Sequence, residues 1–273
     1  MKKPNLFILG APKCGTTFLF ETFKRHPRIF LPRIKELNYF SFYQLKIHSY
    51  YKDLKTKSLN KYLRYYKKAK SETYLVDASV SYFTFDEVPK AIKEFNSEAK
   101  IIFMVRNPYK RAFSHYLMDK RMGYAPKPFS EYLNDESTFH FRQYVHNSLY
   151  YKEISKYFEH FDRSNILILE LESLKENYTS IFQFLNIAPI EINFEEKVNE
   201  NKNSRNWIGR IVQKNRGFTE RTKLLFPDSF SNKFKSLLYK KAEKCELSSN
   251  DFISLQSFIE EDYMKFKSLN NDH

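Results

Sequence analysis

The chain of 273 residues is long enough to bury a full core and suits one large α/β domain better than two small ones. Its net charge of +14 calls for an anionic partner, whether nucleic acid, acidic glycan, anionic lipid surface or phosphorylated cofactor, without choosing among them. Two cysteines exclude a disulfide-stapled scaffold, and no apolar run reaches signal-peptide or membrane-spanning length, so the sequence reads as soluble and cytoplasmic.

The apolar run at residues 6–9 has the length of a buried strand, and Leu19, Thr22, Phe23 and His26 recur at helical spacing after it. Between them lies Gly10-Ala11-Pro12-Lys13-Cys14-Gly15-Thr16-Thr17. A small-residue loop of this kind presents unpaired backbone N–H groups at a helix N-terminus, where the macrodipole favours negative charge. Gly10 and Gly15 have the spacing of a Walker A loop, but Thr16 stands where the phosphate-gripping Lys belongs, and the cation has moved inward to Lys13. No strand is expected to end in an Asp suited to Mg²⁺, so a metal-assisted nucleoside triphosphatase fits poorly and no metal site is expected. On these eight residues alone, an anion cradle and an ordinary strand-to-helix turn are evenly balanced. Cys14 has no recognisable base beside it and reads as a small residue filling the loop.

His26-Pro27 closes the first helix, and residues 29–32 are extended. In the basic and aromatic stretch 33–42, Glu36 is the one carboxylate. If the segment returns over the loop, Glu36 can take a proton from an attacking hydroxyl; the residues alone favour a surface pair with Lys35 or Arg33. Residues 43–70 are dense in Lys and Tyr with weak helical periodicity, an excursion able to wall an acceptor cleft. Strands are expected at 73–77 and at 100–105, the latter nearly all apolar and so buried on both faces of a parallel sheet. Val88, Ile92 and Phe95 mark a helix between them.

Asn107 as N-cap and Pro108 at the first helical position start a further helix. Arg106 therefore stands at the C-terminal end of a central strand, where ligands of open α/β sheets bind. Ser114 follows about two turns along the helix. The pair can hold a second anion, or Arg106 can be satisfied by a strand-end ion pair; Arg111 and His115 read as structural. Residues 123–128 form a loop, and Asn147-Ser148-Leu149 opens a helix whose Tyr150, Ile154, Tyr157, Phe158 and Phe161 form a core stripe. A buried strand at 165–169 and a helix at 181–185 follow. The acidic stretch 191–200 leads into the basic, Asn-rich 201–207, which either closes over a phosphate or lies exposed, and 234–267 reads as helices.

The loop at 12–17 resembles the 5′-phosphosulfate loop of sulfotransferases that use 3′-phosphoadenosine 5′-phosphosulfate (PAPS), and Val105-Arg106-Asn107-Pro108 through Ser114 resembles their 3′-phosphate-binding strand and helix. His26-Pro27, Lys35-Glu36 followed by Tyr39-Phe40, Ser81-Tyr82-Phe83-Thr84 and Asn147-Ser148-Leu149-Tyr150 are similar to the Golgi heparan-sulfate-type and bacterial branch rather than the small-phenol branch. The resemblance spans about residues 5–185. It implies a P-loop-like α/β fold with a central parallel sheet: one domain over 1–273, with a core at about 5–185 and a C-terminal helical part at about 200–268 packed on it. It further implies that Lys13, Cys14, Gly15, Thr16 and Thr17 bind the 5′-phosphosulfate and that Arg106 and Ser114 bind the 3′-phosphate. Lys13 would also stabilise charge on the bridging oxygen, and Glu36 would deprotonate the acceptor hydroxyl, which reverses the surface reading of that residue.

Three departures accompany the resemblance. Ala78 stands where heparan-type enzymes have a Lys four residues before their Tyr-Phe pair, so a second cation is missing or comes from elsewhere. Their C-terminal disulfide has no counterpart, in keeping with a cytosolic, bacterial protein. Their Lys-Gly-Arg cofactor loop has only Lys214-Asn215-Arg216-Gly217 and Arg205 as candidates. The resulting expectation is a PAPS-dependent O-sulfotransferase that acts without metal on the hydroxyl of a saccharide or anionic glycan, not on nucleic acid, and has no transmembrane segment. A nucleotide or small-molecule kinase would need Mg²⁺ and ATP. A basic nucleic-acid-binding protein would account for the charge, with steep salt dependence, but leaves the loop, the strand end and Glu36 unexplained.

Overall fold

Five short runs form the sheet: β1 (Leu6–Gly10), β2 (Ile29–Phe30), β3 (Tyr74–Asp77), β4 (Lys100–Val105) and β5 (Ile166–Glu170). In this computed structural model, which describes residues 2–51, 54–194, 202–204, 239–241 and 245–271, they lie in the order β2-β3-β1-β4-β5 and all pair in parallel. Parallel neighbours need crossovers on the sheet faces, which is why the inner strands are apolar on both sides. Accordingly every residue of β1 is buried.

The described helices are α1 (Thr16–Phe23), α2 (Phe42–Leu45), α3 (Leu59–Arg64), α4 (Glu87–Phe95), α5 (Pro108–Met122), α6 (Phe139–Tyr144), α7 (Tyr150–Phe158), α8 (Leu174–Asn177), α9 (Thr179–Leu185) and α10 (Ser249–Asn271). The start of α5 follows from its sequence: Asn107 Oδ1 accepts from the Lys110 N–H at 3.0 Å and Pro108 fills the first position. Helix α7 lays Tyr150, Ile154 and Tyr157 into the core, where the Tyr157 ring meets Phe103 of β4 edge-on at 5.0 Å. Helix α10 packs on α5 and α7 through Leu255, Ile259 and Phe266. Its Asp262 carboxylate accepts the backbone N–H groups of Tyr151 and Lys152 at 3.0 and 2.8 Å, which caps the first turn of α7 from outside.

Two expectations need correction. The strand near 165–169 is not buried throughout: β5 is an edge, and Leu167 and Ile168 are half-buried because one side has no strand neighbour. The expected C-terminal helices are interrupted, since Tyr239–Lys241 (β7) pairs antiparallel with Lys202–Ser204 (β6), a non-local pairing that overrides local helix propensity. Residues 195–201, Arg205, Trp207 and the 214–217 segment lie outside the described residues.

His146, at the α6–α7 junction, is pushed down to about 4 by burial and then by the cations Arg142, Lys152 and Lys156. The folded chain holds it neutral, whereas an unfolded His takes up a proton below about 6.5. Its contribution to stability is therefore complete above that value and is lost as pH falls toward 4. Urea midpoints of wild type relative to His146→Gln should be highest near pH 7 and decline by pH 4.5, a comparison in which the buried carboxyls of Asp77 and Asp119 cancel.

Candidate active site

The turn after β1 is drawn tight by its backbone. Gly15 caps α1 at φ 85°, a left-handed conformation that favours glycine, and a Cβ there would come within 2.7 Å of Leu171 Cδ1 and force that side chain to move. Lys13 also adopts a left-handed conformation, φ 71°, at a cost of about 1–2 kcal/mol for a residue with a side chain. No side chain caps the start of α1, which leaves first-turn N–H groups directed at whatever the loop encloses. Thr16 is buried and Thr17 half-buried at that turn.

Cys14 fills space beneath the loop. It is fully buried, its N–H donates to Ala11 O at 3.3 Å, and its Sγ lies 3.7 Å from the Tyr150 hydroxyl. Burial pushes the thiol up to about 11, against the opposing pull of Arg111 and Tyr150, so it is un-ionised at neutral pH and no nucleophile. Tyr150 in turn donates to Arg106 O at 2.8 Å, tying the floor of the loop to the tip of β4.

Arg106 reaches the loop directly: its Nη1 donates to Lys13 O at 3.3 Å. Its Nε is buried without a hydrogen-bond partner, and the nearest carboxylate oxygen, on Glu172, is 3.9 Å away. A buried donor left in that state costs about 1–3 kcal/mol and marks a place for an acceptor. Ser114, half-buried, stands on α5 about two turns from this tip. Arg111 and His115 belong to the scaffold instead. Arg111 is fully buried and donates to Ser148 Oγ at 2.7 Å, Gln143 O at 2.8 Å and Tyr144 O at 2.6 Å. The Asn147-Ser148 pair is explained by the same joint, for Ser148 Oγ donates to Pro108 O at 3.2 Å.

The Lys35-Glu36 segment does return over the loop. Lys35 Nζ donates to Thr16 Oγ1 at 3.0 Å and Thr17 Oγ1 at 3.3 Å, while Glu36 Oε1 is 4.0 Å from the same nitrogen. The segment is pinned from behind. Asn38 N donates to Ser79 Oγ at 2.9 Å, Ser81 Oγ donates to Asn38 Oδ1 at 2.7 Å, and Thr56 Oγ1 donates to Leu37 O. The Tyr39 ring stacks on Tyr62 at 4.5 Å.

Asp77 lies under that network, at the end of β3. Its carboxylate accepts from Ser79 at 2.6 Å, Tyr62 at 2.7 Å and Tyr82 at 2.9 Å, so it serves as the anchor of the Glu36 segment. Burial raises its pKa and these hydroxyls oppose the rise. Among the described residues no group of three His, Cys, Asp or Glu is arranged to hold a metal ion.

Residues 43–70, expected to wall a cleft, meet the C-terminal half of α5, the loop after it and α6 beside Lys13. His48 stacks on Phe139 at 4.1 Å, and Tyr50 meets Tyr124 at a tilt with 4.7 Å between ring centres. The Tyr50 and Tyr144 hydroxyls both donate to Asp119, at 3.1 and 2.9 Å. Lys13 Nζ approaches Met118, the neighbour of Asp119, with 3.6 Å to its sulfur. Composition and spacing named Lys35 and Asp77 without reading the place of Lys35 on the loop threonines or of Asp77 as an anchor; the adjacency of Lys35 to Glu36 was the available signal for the first.

A five-stranded parallel sheet whose inner strands end in a glycine-bounded loop and an arginine defines a P-loop-like α/β protein. The chain belongs to the sulfotransferase family, whose sequence model, described as the sulfotransferase domain, matches residues 3–222. It is similar to carbohydrate sulfotransferase 15 of Mus musculus, 25% identical over 248 residues that cover 68% of this chain and 44% of that protein. It is also similar to heparan sulfate glucosamine 3-O-sulfotransferase 5 of Homo sapiens, 28% identical over 117 residues, 41% of this chain and 30% of the relative. The chain thus spans less than half the length of these curated relatives. The crystal structure of a sulfotransferase from Alicyclobacillus acidocaldarius shares the fold, with TM-score 0.61 and 24% identity over 71% of this chain and 88% of the other. No described helix is long and apolar enough to cross a membrane.

Proposed function

We propose that this protein is a PAPS-dependent sulfotransferase that carries a sulfuryl group to a hydroxyl of a saccharide, with an anionic glycan as the favoured acceptor. The observation that carries the reading is the 3.3 Å contact of Arg106 with the Lys13 carbonyl, which sets the arginine at the tip of β4 against the loop that follows β1. The residues fit a nucleotide with phosphate at both ends: a helix start with no side-chain cap, just after Gly15, at one end, and a buried guanidinium N–H without a hydrogen-bond partner at the other.

When bound, PAPS supplies a sulfuryl group whose S–O bond to the 5′-phosphate breaks as a new S–O bond to the acceptor oxygen forms, leaving 3′,5′-ADP. Lys13, Gly15, Thr16 and Thr17 hold the 5′ end, with Cys14 setting the loop's shape from below. Lys13 neutralises charge on the oxygen left on the phosphate. Arg106 and Ser114 hold the 3′-phosphate, and Glu36 takes the acceptor proton. The acceptor lies along the wall of segments 43–70 and 120–145. All cations of residues 55–70 are exposed with no acidic residue among them, a surface suited to a polyanion. The packing of α10 on α5 and α7 supports one domain over the whole chain, and the free state of Cys14 and Cys245 supports a reducing cytoplasm.

Incubation with PAPS and non-sulfated or partly sulfated glycans should release 3′,5′-ADP and add sulfate to the glycan. Phosphorylated product from ATP and Mg²⁺, with none from PAPS, would overturn the reading in favour of a kinase.

A further inference from the structure

Lys35 is placed by contacts that its sequence neighbourhood does not disclose. Its ammonium lies at hydrogen-bond distance from both threonine hydroxyls of the first α1 turn, at 3.0 and 3.3 Å, and only 4.0 Å from Glu36 Oε1. An ammonium seeking its adjacent carboxylate would close to a shorter charge-assisted distance of about 2.7–2.9 Å. This one is drawn instead over the loop. Each threonine hydroxyl that accepts from Lys35 keeps its own proton to donate, so the three groups form a cluster of donors above the uncapped helix start. The Lys35 side chain is 13% exposed, so its attraction for an anion is weakly screened. Ala78, which follows β3 and is buried, offers no cation there.

We propose that Lys35 is a catalytic residue that contacts the sulfuryl oxygens, opposite Lys13 on the phosphate oxygen. This inference rests on the sulfotransferase reading and deepens it by supplying the second cation of the transfer. Lys35 gives up no proton and forms no bond: the acceptor proton goes to Glu36, and the electron pair of the broken S–O bond stays on the phosphate oxygen. The ammonium holds the three sulfuryl oxygens between the helix start and the acceptor, and it keeps the Glu36 carboxylate from repelling them.

The test is calorimetric titration of wild type, Lys35→Met and Lys35→Arg with PAPS and with 3′,5′-ADP, alongside turnover. Lys35→Met should weaken PAPS about tenfold and 3′,5′-ADP by less than about threefold, because only PAPS carries the sulfuryl group; kcat should fall about 10²–10³-fold. Lys35→Arg, which keeps the charge and guards against a misfolded Met variant, should restore part of the PAPS affinity. Equal weakening of both nucleotides, or of neither, would overturn the proposal while leaving the sulfotransferase reading intact. Wild type that binds neither nucleotide would instead remove that reading and this inference with it.

Discussion

Glu36→Gln should lower kcat by about 10²–10⁴-fold, the range for loss of a positioned general base, and leave the affinity for 3′,5′-ADP within about threefold of wild type. The amide keeps the shape of the carboxylate and loses only its capacity to accept a proton. The segment that carries it is fixed by Asn38, Leu37 and Tyr39 through Ser79, Ser81, Thr56 and Tyr62. Lys35 remains on the threonine hydroxyls, so the donor side of the site is intact. A loss confined to kcat therefore reports on the proton and not on the architecture. Single-turnover sulfation under saturating PAPS measures it directly, and a rate within about threefold of wild type would assign the base elsewhere.

Arg106→Ala should weaken 3′,5′-ADP by about 30–100-fold, as expected when a partly buried fork of charged donors is removed from a phosphate dianion. The guanidinium has a second task, donation to Lys13 O, which the substitution also removes. Titration of the variant with 5′-AMP separates the two: weakening through the loop affects both nucleotides, whereas loss of the 3′-phosphate contact affects one. Ser114→Ala, deleting a neutral hydroxyl, should cost only about 2–12-fold. The unliganded Arg106→Ala protein should melt within a few degrees of wild type, because loss of the Nη1 bond to Lys13 O is offset by deletion of a buried Nε without a hydrogen-bond partner. A marked fall in its melting temperature would mean that Arg106 serves the scaffold through Glu172 and Lys13.

The parts of the site that could be read from the sequence are those set by neighbours in the chain. The apolar run of β1 leading into a glycine-bounded loop, and β4 ending in Arg106 ahead of an Asn-Pro helix start, are local patterns, and the sheet and α5 form where those patterns lie. Glu36 was ambiguous because its place depends on contacts with residues distant in sequence: Leu37 with Thr56, and Asn38 with Ser79 and Ser81, at separations of 19, 41 and 43. Asp77 was legible as the end of a strand but not as an anchor, for the same reason, since a strand-end carboxylate acquires that role from Tyr62 and Tyr82 around it. Lys35 beside Glu36 looks like half of a surface ion pair until Thr16 and Thr17 are brought beneath it. The β6–β7 pairing joins Lys202 to Lys241 and Ser204 to Tyr239, a register that no window along the chain contains.

The central claim is that the first-turn loop and the tip of β4 grip the two ends of a single 3′-phosphorylated adenine nucleotide. Side-by-side calorimetry of the wild-type chain with 3′,5′-ADP and 5′-AMP tests it most directly. The account predicts that the extra phosphate tightens binding by at least about tenfold. Equal affinities for the two would contradict it.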